Sequence, residues 1–147
     1  MHQRLEMRIL ERLRQDPGAR VFWWNGIWWH ADKVLETWQA YVNLLREAGF
    51  MEGSRMALFL SNSPTFHFLT LAVWELGGTV VPLNARGGAE GTRRILRKID
   101  PFGVVLSSET RELEETCRET GFPVTFCSSE ELPRAFFGRP CFGTSPE

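Results

Sequence analysis

The 147-residue sequence lacks the features of several protein classes. No apolar run approaches the ~20 residues that a membrane helix needs. The N-terminal residues 1–15 are charged and amphipathic, without the apolar core of a signal peptide. Seventeen Lys and Arg residues balance eighteen Asp and Glu residues, so no net positive charge draws the chain to nucleic acid. We therefore expect a cytoplasmic protein with no membrane span and no nucleic-acid partner.

Potential metal ligands are also scarce. The chain has three cysteines and three histidines: Cys117, Cys127, Cys141, His2, His30 and His67. The cysteines are widely spaced and form no C-x-x-C pattern, which argues against a disulfide framework and against a zinc site. No histidine lies three or four residues from another histidine or a cysteine, the spacing at which two ligands share a helix face. We expect reduced, structural thiols and no metal site.

Aromatic residues are plentiful, and they concentrate in one segment. Four of the six tryptophans lie within residues 23–29, on either side of Asn25-Gly26. Asn-Gly is the preferred centre of a two-residue type I′ turn, because both positions need a positive φ, and the flanking residues favour strands. The segment therefore predicts a β-hairpin. The tryptophans could instead form a stacking platform for a base or a sugar, but the turn favours cross-strand packing.

Pairing outward from the turn assigns each hairpin residue to a face. Four pairs stand opposite one another: Trp24 and Ile27, Trp23 and Trp28, Phe22 and Trp29, Val21 and His30. Because strand side chains alternate, one face holds Phe22, Trp24, Ile27 and Trp29, and the other holds the remaining four. A lone hairpin is only marginally stable, so at least one face must lie on the rest of the domain. On the second face, Trp23, Trp28 and His30 are interface candidates.

Apolar periodicity predicts helices and strands in alternation along the chain. We expect helices over 4–14, 31–48, 65–76, 92–99 and 109–120, and a further short helix starting at Ser128. We expect buried strands over 55–60 and 79–83, and further strands over 103–108 and 124–127. Gly49 should end one helix, and Ser63-Pro64 should begin the next. The alternation predicts an α/β fold, a parallel sheet covered by helices, preceded by an N-terminal helix and the tryptophan-rich hairpin.

Ligands of open parallel sheets bind beyond the carboxyl ends of the strands. The candidate substrate-facing or partner-facing residues there are Asn62, Ser63, Asn84, Arg86, Gly87 and Gly88. The glycine-rich sequence NARGGAEG, residues 84–91, suggests phosphate binding, because backbone N–H groups at a helix N-terminus favour anions. It matches neither G-x-G-x-x-G nor G-x-x-x-x-G-K-[ST], so a plain flexible loop is favoured.

Two further features have both a functional and a structural interpretation. His67 has no carboxylate or serine at triad spacing, which favours a packed or edge histidine over a catalytic base. The basic run over residues 93–98 could bind a phosphate, but such a run is usually a solvated helix face. No catalytic residue is predicted.

Residues 44–108 resemble the opening subdomain of the adenylate-forming enzymes, the superfamily of acyl- and aryl-CoA synthetases, luciferases and peptide-synthetase adenylation domains. The matching segments agree in order and spacing: Leu45-Arg46-Glu47-Ala48-Gly49, Gly53-Ser54-Arg55-Met56-Ala57-Leu58, Asn62-Ser63-Pro64 with Phe66, Leu71-Ala72-Val73-Trp74, Gly77-Gly78 and Val81-Pro82-Leu83-Asn84. Looser similarity covers residues 20–127. The resemblance implies an N-terminal helix over 1–18, an N-terminal α/β subdomain of such an enzyme over 19–132, and an irregular tail over 133–147.

The sequence also departs from the family. His30-Ala31 stands where the family usually has Thr-Tyr, and Gly53-Ser54-Arg55 stands where it usually has Gly-Asp-Arg. The Ser/Thr/Gly-rich phosphate loop ending in Lys, the adenine- and ribose-binding segments, and the C-terminal lid with its catalytic lysine have no counterpart in these 147 residues. The sequence over 143–146, Gly-Thr-Ser-Pro, is a faint echo of the phosphate loop without its lysine.

The resemblance implies a parent reaction in which a carboxylate attacks the α-phosphate of Mg-ATP, and a thiol such as CoA captures the acyl-adenylate. Three hypotheses stay open. In the first, the chain is the N-terminal subdomain of an acid–thiol ligase and is inactive alone. The remainder of the enzyme, in the same or a separate chain, would complete it. The complete enzyme would use ATP, Mg and either CoA or a carrier-protein thiol. In the second, it is a non-catalytic assembly or binding module derived from such an enzyme. In the third, it is a small self-sufficient nucleotide-binding protein. A homo-oligomer is also open.

Overall fold

A computed structural model describes residues 4–128. Helix α1 and a two-stranded hairpin come first, and a βα alternation follows. The elements are α1 Leu5–Gln15, β1 Arg20–Trp24, β2 Ile27–His30, α2 Ala31–Glu47, β3 Arg55–Phe59, α3 Pro64–Glu75, β4 Thr79–Pro82, α4 Gly88–Ile99, β5 Gly103–Leu106, a 3₁₀ segment Ser108–Leu113, α5 Glu114–Glu119 and β6 Val124–Phe126. Strands β1 and β2 are antiparallel, and the second sheet is parallel with the order β4-β3-β5-β6. The predicted fold class is confirmed.

Strand β3 lies at the centre of the parallel sheet, and its alternating side chains enter two separate cores. Met56 and Leu58 pack in the core formed with α1, α2 and α3. Ala57 and Phe59 pack on the opposite face, in the core formed with α4 and α5. All four side chains are buried. The sheet is therefore covered by helices on both faces, as expected of a parallel sheet.

Helix α2 supplies the apolar stripe that its spacing predicts. The stripe consists of Val34, Trp38, Tyr41, Leu45 and Ala48, and all five residues are buried. Gly49 follows the helix with a φ of 93°, a left-handed conformation that a side chain would strain. The predicted helix over 31–48 and its glycine stop are confirmed.

The hairpin departs from the predicted pairing at one place. Asn25 and Gly26 have φ values of 49° and 80°, and the first three predicted pairs are present. The predicted pair of Val21 with His30 is wrong, because a bulge at Val21 brings Arg20 opposite His30.

The bulge has a physical reason in the start of α2. His30 occupies the N-cap position but makes no side-chain cap. Instead, the first backbone N–H groups of the helix donate to strand-side carbonyls: Ala31 N to Ala19 O at 2.9 Å and Asp32 N to Pro17 O at 2.9 Å. These bonds satisfy donors that a helix N-terminus otherwise leaves unpaired, so the helix needs no Ser or Thr cap.

Three further predictions are corrected by the structure. Strand β4 is not buried, because it forms one edge of the sheet. One side of an edge strand has no strand partner, so Pro82, which has no N–H to donate, is tolerated there. Helix α4 begins at Gly88 rather than Thr92, so residues 88–91 are its first turn and not a flexible loop. The helix over 109–120 is split, because the Thr110 hydroxyl donates to Phe59 O (3.0 Å) and leaves Thr110 in a non-helical conformation.

Several predictions lie outside the described residues. These are the short helix beyond Ser128, the tail over 133–147, Cys141 and the segment over 143–146. Within residues 4–128, every helix is too short or too polar to cross a membrane.

Two glycines provide a matched test of the packing. A Cβ at Gly78 would collide with the Phe50 ring and lie 2.8 Å from Ser54 O, whereas a Cβ at Gly91 would have nothing within 4 Å. We expect Gly78→Ala to lower the free energy of unfolding by about 1–3 kcal/mol. Gly91→Ala should raise it by about 0.5–1 kcal/mol, since Gly91 lies inside α4. Urea denaturation measures both, and equal effects of the two substitutions would contradict the packing described.

Candidate functional site

The inner face of the hairpin is anchored by aromatic contacts. Phe22 and Trp29 stack on each other with a centroid distance of 5.2 Å. The Phe68 ring from α3 lies 6.2 Å from Phe22 and 5.4 Å from Trp29, and it stacks on Tyr41 of α2 at 5.8 Å. The face that holds Phe22, Trp24, Ile27 and Trp29 therefore packs on the domain through Phe22 and Trp29, while Ile27 next to the turn stays 66% exposed. We call it the inner face.

A cleft of about 300 Å³ lies between the hairpin and the start of α3. One wall is aromatic, with Phe22, Trp23 and Trp24. The other wall is the β3–α3 connection, with Asn62, Ser63 and Pro64, followed by His67 one turn into the helix. This volume is at the lower end of the ~300–1,000 Å³ range of ligand pockets, and aromatic walls with a few polar groups are typical of such sites.

The second wall is fixed by local hydrogen bonds. The Ser63 hydroxyl accepts from Phe66 N (3.2 Å), so Ser63 is the N-cap of α3, and Pro64 occupies the first helical position, as predicted. The Thr65 hydroxyl donates to Ser128 O at 2.7 Å and lies 3.3 Å from the Tyr41 hydroxyl. Because the Ser63 oxygen is occupied by its cap, Asn62 and His67 are the polar side chains of the cleft most open to a ligand; both are exposed.

The structure brings some of the sequence-predicted candidates together and separates others. Asn62, Ser63 and Trp23 line the same cleft, although the sequence suggested them on unrelated grounds. Trp28 and His30 are exposed on the hairpin but do not line the cleft. Neither do the four candidates that follow β4, Asn84, Arg86, Gly87 and Gly88.

The glycine-rich segment after β4 uses several of its own backbone donors internally. Three of its backbone N–H groups already have acceptors within the segment: Arg86 N donates to Asn84 Oδ1 (3.0 Å), Gly88 N to Ala85 O (3.1 Å) and Gly91 N to Gly87 O (3.1 Å). A phosphate cradle needs such donors free and pointing outward. The three engaged N–H groups therefore weaken the support that this segment gives to the hypothesis of a self-sufficient nucleotide-binding protein.

The basic run on α4 is mostly a solvated helix face, the interpretation that the sequence favoured. Arg93 makes two hydrogen bonds to Glu119 of α5, at 3.1 and 2.9 Å, and so joins the two helices. Arg94, Arg97 and Lys98 are exposed. This pairing explains why Arg93 is partly covered while its neighbours are not.

Sequence reasoning missed the polar group at the carboxyl end of β5. The sheet order changes direction between β3 and β5, and a crevice forms at such a point. There Ser107 N donates to the Thr110 hydroxyl (3.0 Å), and that hydroxyl donates to Phe59 O. The Ser107-Ser108 pair after the third apolar run was the available signal. These groups bond to one another, so their hydrogen-bonding capacity is at least partly used within the chain.

The sequence profile of the AMP-binding enzymes matches residues 9–133, and the chain therefore belongs to the AMP-binding enzyme family. The predicted resemblance is confirmed. Over 68 residues the chain is 32% identical to Protein Y of Streptomyces griseus, a stretch covering 46% of this chain and 22% of that protein.

Solved structures share the fold at low sequence identity. The N-terminal domain of FACL13 from Mycobacterium tuberculosis has a TM-score of 0.77 at 18% identity, covering 87% of this chain and 34% of that one. A benzoate CoA ligase from Burkholderia xenovorans LB400 has a TM-score of 0.76 at 13% identity, covering 92% and 27%. ATP-bound MatB from Rhodopseudomonas palustris has a TM-score of 0.70 at 21% identity, covering 82% and 25%. The chain thus spans about a quarter to a third of these structures.

Titratable groups beneath the cleft wall are held in their neutral forms. Burial raises the pKa of Cys127 from 9.0 to about 12. Burial also raises the pKa of Tyr41 from 10.0 to about 12, although its hydrogen bond with Thr65 works in the opposite direction. Ionisation of either group would place a charge inside the core that joins α2 and α3.

These shifts predict a loss of stability at alkaline pH. A raised pKa means that the folded state keeps a proton that the unfolded state has lost, so the free energy of unfolding falls above pH 9, where the unfolded thiol ionises. Between about pH 9.5 and 11, the free energy of unfolding should fall less steeply with pH in Cys127→Ala than in the wild type. The difference in slope should be about 1.4 kcal/mol per pH unit. Urea denaturation across that pH range measures the slope, and an unchanged slope in the variant would contradict the burial of Cys127.

Proposed function

We propose that this chain is the N-terminal subdomain of an ATP-dependent carboxylic acid–thiol ligase. In this proposal residues 1–18 form an N-terminal helix, residues 19–132 the α/β subdomain and residues 133–147 an irregular tail. The observation that carries the proposal is the match to the AMP-binding enzymes over residues 9–133. The likeness to the N-terminal domain of FACL13 supports it at the level of the fold. Such an enzyme would act in the cytoplasm, where ATP and CoA are available.

The reaction has two steps. A carboxylate oxygen attacks the α-phosphorus of ATP, which forms the acyl-adenylate and releases pyrophosphate. A thiol of CoA or of a carrier protein then attacks the acyl carbon, which forms the thioester and releases AMP. The first step needs cations and N–H donors around the developing phosphoryl charge. Three N–H groups of residues 84–91 are already engaged, and the lysine-ended phosphate loop has no counterpart in these 147 residues. We therefore assign the binding of ATP, Mg²⁺ and the thiol to the remainder of the enzyme.

In this proposal the chain serves as a scaffold for that remainder. The exposed outer face of the hairpin, which we call the tryptophan face, consists of Trp23, Trp28 and His30. Trp23 is 59% and Trp28 is 42% exposed, and the two are cross-strand partners. Neighbouring exposed aromatic rings are typical of an interface. We propose that the remainder of the enzyme packs on this face, in the same chain or as a separate one.

The other candidate residues lie at the carboxyl ends of the strands. Asn62 and Ser63 follow β3 directly, and Asn84, Arg86, Gly87 and Gly88 follow β4. Because β3 and β4 are parallel neighbours, both sets stand at the same edge of the sheet. We propose that this edge faces the substrate or the remainder of the enzyme, which is where open α/β sheets bind their ligands.

One observation favours a second function, a non-catalytic assembly module derived from such an enzyme. The tryptophan face can hold a partner without contributing to any reaction, because a pair of exposed aromatic rings is enough to anchor an interface. In that case the chain would bind the partner without any ligase activity in the complex.

An assay for acyl-adenylate separates the two functions. The chain with ATP, Mg²⁺, hydroxylamine and a panel of carboxylic acids should form no hydroxamate by itself. Hydroxamate should appear when the chain is joined to, or mixed with, the polypeptide that the coding sequence immediately downstream specifies. Turnover by the chain alone would overturn the scaffold proposal, and a complex without turnover would favour the assembly module.

Substitutions in the tryptophan face test where the remainder packs. The double variant Trp23→Thr/Trp28→Thr keeps strand-forming residues, so its free energy of unfolding should fall by about 1 kcal/mol or less. Its affinity for the downstream polypeptide should fall by at least about tenfold, as expected on removing aromatic anchors.

The matched control is Met51→Thr. Met51 is also apolar and is 66% exposed, but it lies outside the hairpin. It should leave the affinity unchanged in a titration calorimetry experiment. Equal affinities of the double variant and the control would contradict the assignment. Light scattering tests whether the chain forms a homo-oligomer. If the chain is a dimer and the double variant is a monomer, the tryptophan face binds a second copy of the chain instead.

A further inference from the structure

Strands β4 and β6 are the two edges of the parallel sheet, and each has one side without a strand partner in the described part of the chain. On β6, Pro123 O accepts a bond from β5 (2.9 Å), and Cys127 N donates to Leu106 O of β5 (2.8 Å). Alternate residues of a parallel strand bond to the same neighbour. The backbone N–H and C=O groups of Val124 and Phe126 therefore face outward and form the outer edge of β6.

The outer edge of β4 is closed to a further strand. Thr79 N and Leu83 N both donate toward β3, at 2.9 and 2.8 Å, which leaves Val80 and Pro82 as the outward residues. Pro82 has no N–H to donate, and a proline at such a position is one of the ways in which proteins protect a sheet edge. The outer edge of β6 has neither a proline nor a charged residue. The two edges therefore differ in their capacity to accept a strand.

Strand β6 also has the burial of an interior strand. Val124 is 7% exposed and packs in the core formed with α4 and α5. Cys127, directly after the strand, is 4% exposed and packs in the core on the opposite face of the sheet. On β4, by contrast, Thr79 and Pro82 are exposed. Burial on both faces is typical of strands in the middle of a parallel sheet. A strand added to β6 would continue both layers and should be apolar on both faces.

We propose that the outer edge of β6 pairs with an extended strand from the remainder of the enzyme, an inference that rests on the proposed function. The chain covers 25% of MatB and 34% of the FACL13 structure, so proteins with this fold contain further segments that can supply a strand. The added strand bonds to the backbone of Val124 and Phe126, as strands do when they extend an exposed sheet edge. It is a nearly continuous apolar run without proline at the bonded positions. The remainder then holds the chain at β6 as well as at the tryptophan face.

Amide hydrogen exchange measured by NMR tests the pairing. The ¹⁵N-labelled chain is measured alone and in a mixture with the unlabelled downstream polypeptide. In the chain alone, the N–H groups of Val124 and Phe126 should exchange faster than the N–H of Cys127, which is bonded to β5. In the complex, the exchange of Val124 and Phe126 should slow by at least about tenfold relative to that of Cys127, because only these two amides gain a new acceptor.

Proline substitutions at the two edges form a matched pair of variants. Val124→Pro removes an outward N–H and no bond to β5, and it should weaken the affinity for the downstream polypeptide by at least about tenfold. Val80→Pro makes the same change on the edge that Pro82 already closes, and it should leave the affinity within about twofold. Circular dichroism shows whether both variants fold. If either does not, amide exchange in the unsubstituted chain decides.

Three results would overturn the strand pairing. The first is that Val124 and Phe126 are already as protected as Cys127 in the chain alone, whether within one copy or in a dimer detected by light scattering. The second is that their exchange does not slow relative to Cys127 in the complex. The third is that two folded proline variants weaken binding equally.

Failure of the pairing is distinguishable from failure of the proposed function. A complex that forms hydroxamate but leaves the amides of Val124 and Phe126 unprotected removes the strand pairing alone. A complex that protects these amides but forms no hydroxamate removes the ligase function alone. If the two polypeptides do not associate, both are overturned.

Discussion

Phe68 is the contact on which the position of the hairpin depends. Its ring touches Phe22 and Trp29 of the hairpin and stacks on Tyr41 of α2, so three elements meet at one side chain. A two-stranded hairpin is marginal alone, and this aromatic cluster provides the burial that holds it. Because Phe22 and Trp29 are committed to Phe68, the opposite face with Trp23 and Trp28 stays largely exposed, and Trp23 also borders the cleft. The cleft and the exposed tryptophans are both consequences of that one attachment.

Local chemistry made much of the fold predictable. The Asn25-Gly26 turn, the Ser63-Pro64 helix start and the Gly49 helix stop each depend on the conformational preference of one or two residues, and all three are present. The bulge at Val21 and the kink at Thr110 were not predictable. They depend on partners far along the chain, the first N–H groups of α2 and the Phe59 carbonyl. Apolar periodicity predicts which side chains face a core. It does not predict which distant backbone carbonyl will accept a hydrogen bond from a given N–H or hydroxyl group.

The candidate site was predictable in its parts but not in its assembly. Asn62 followed from its place after a strand, and Trp23 followed from strand alternation. Their meeting with His67 required the docking of the hairpin on α3, which no spacing in the sequence encodes. The family was predictable for a different reason. Several short motifs over residues 44–108 occur in the same order and at the same spacing as in adenylate-forming enzymes, and together they identify the subdomain. The family match covers residues 9–133.

The central place of β3 in the sheet has a consequence for the synthesis of the chain. Its two neighbours are β4 and β5, and β5 is reached only after α4 has been made. Until β5 has emerged from the ribosome and paired, a buried-type strand keeps one edge unpaired and its Ala57 and Phe59 face uncovered. Unpaired apolar edges recruit other chains. The nascent chain is thus open to aggregation through β3 until α4 and β5 have emerged and covered it.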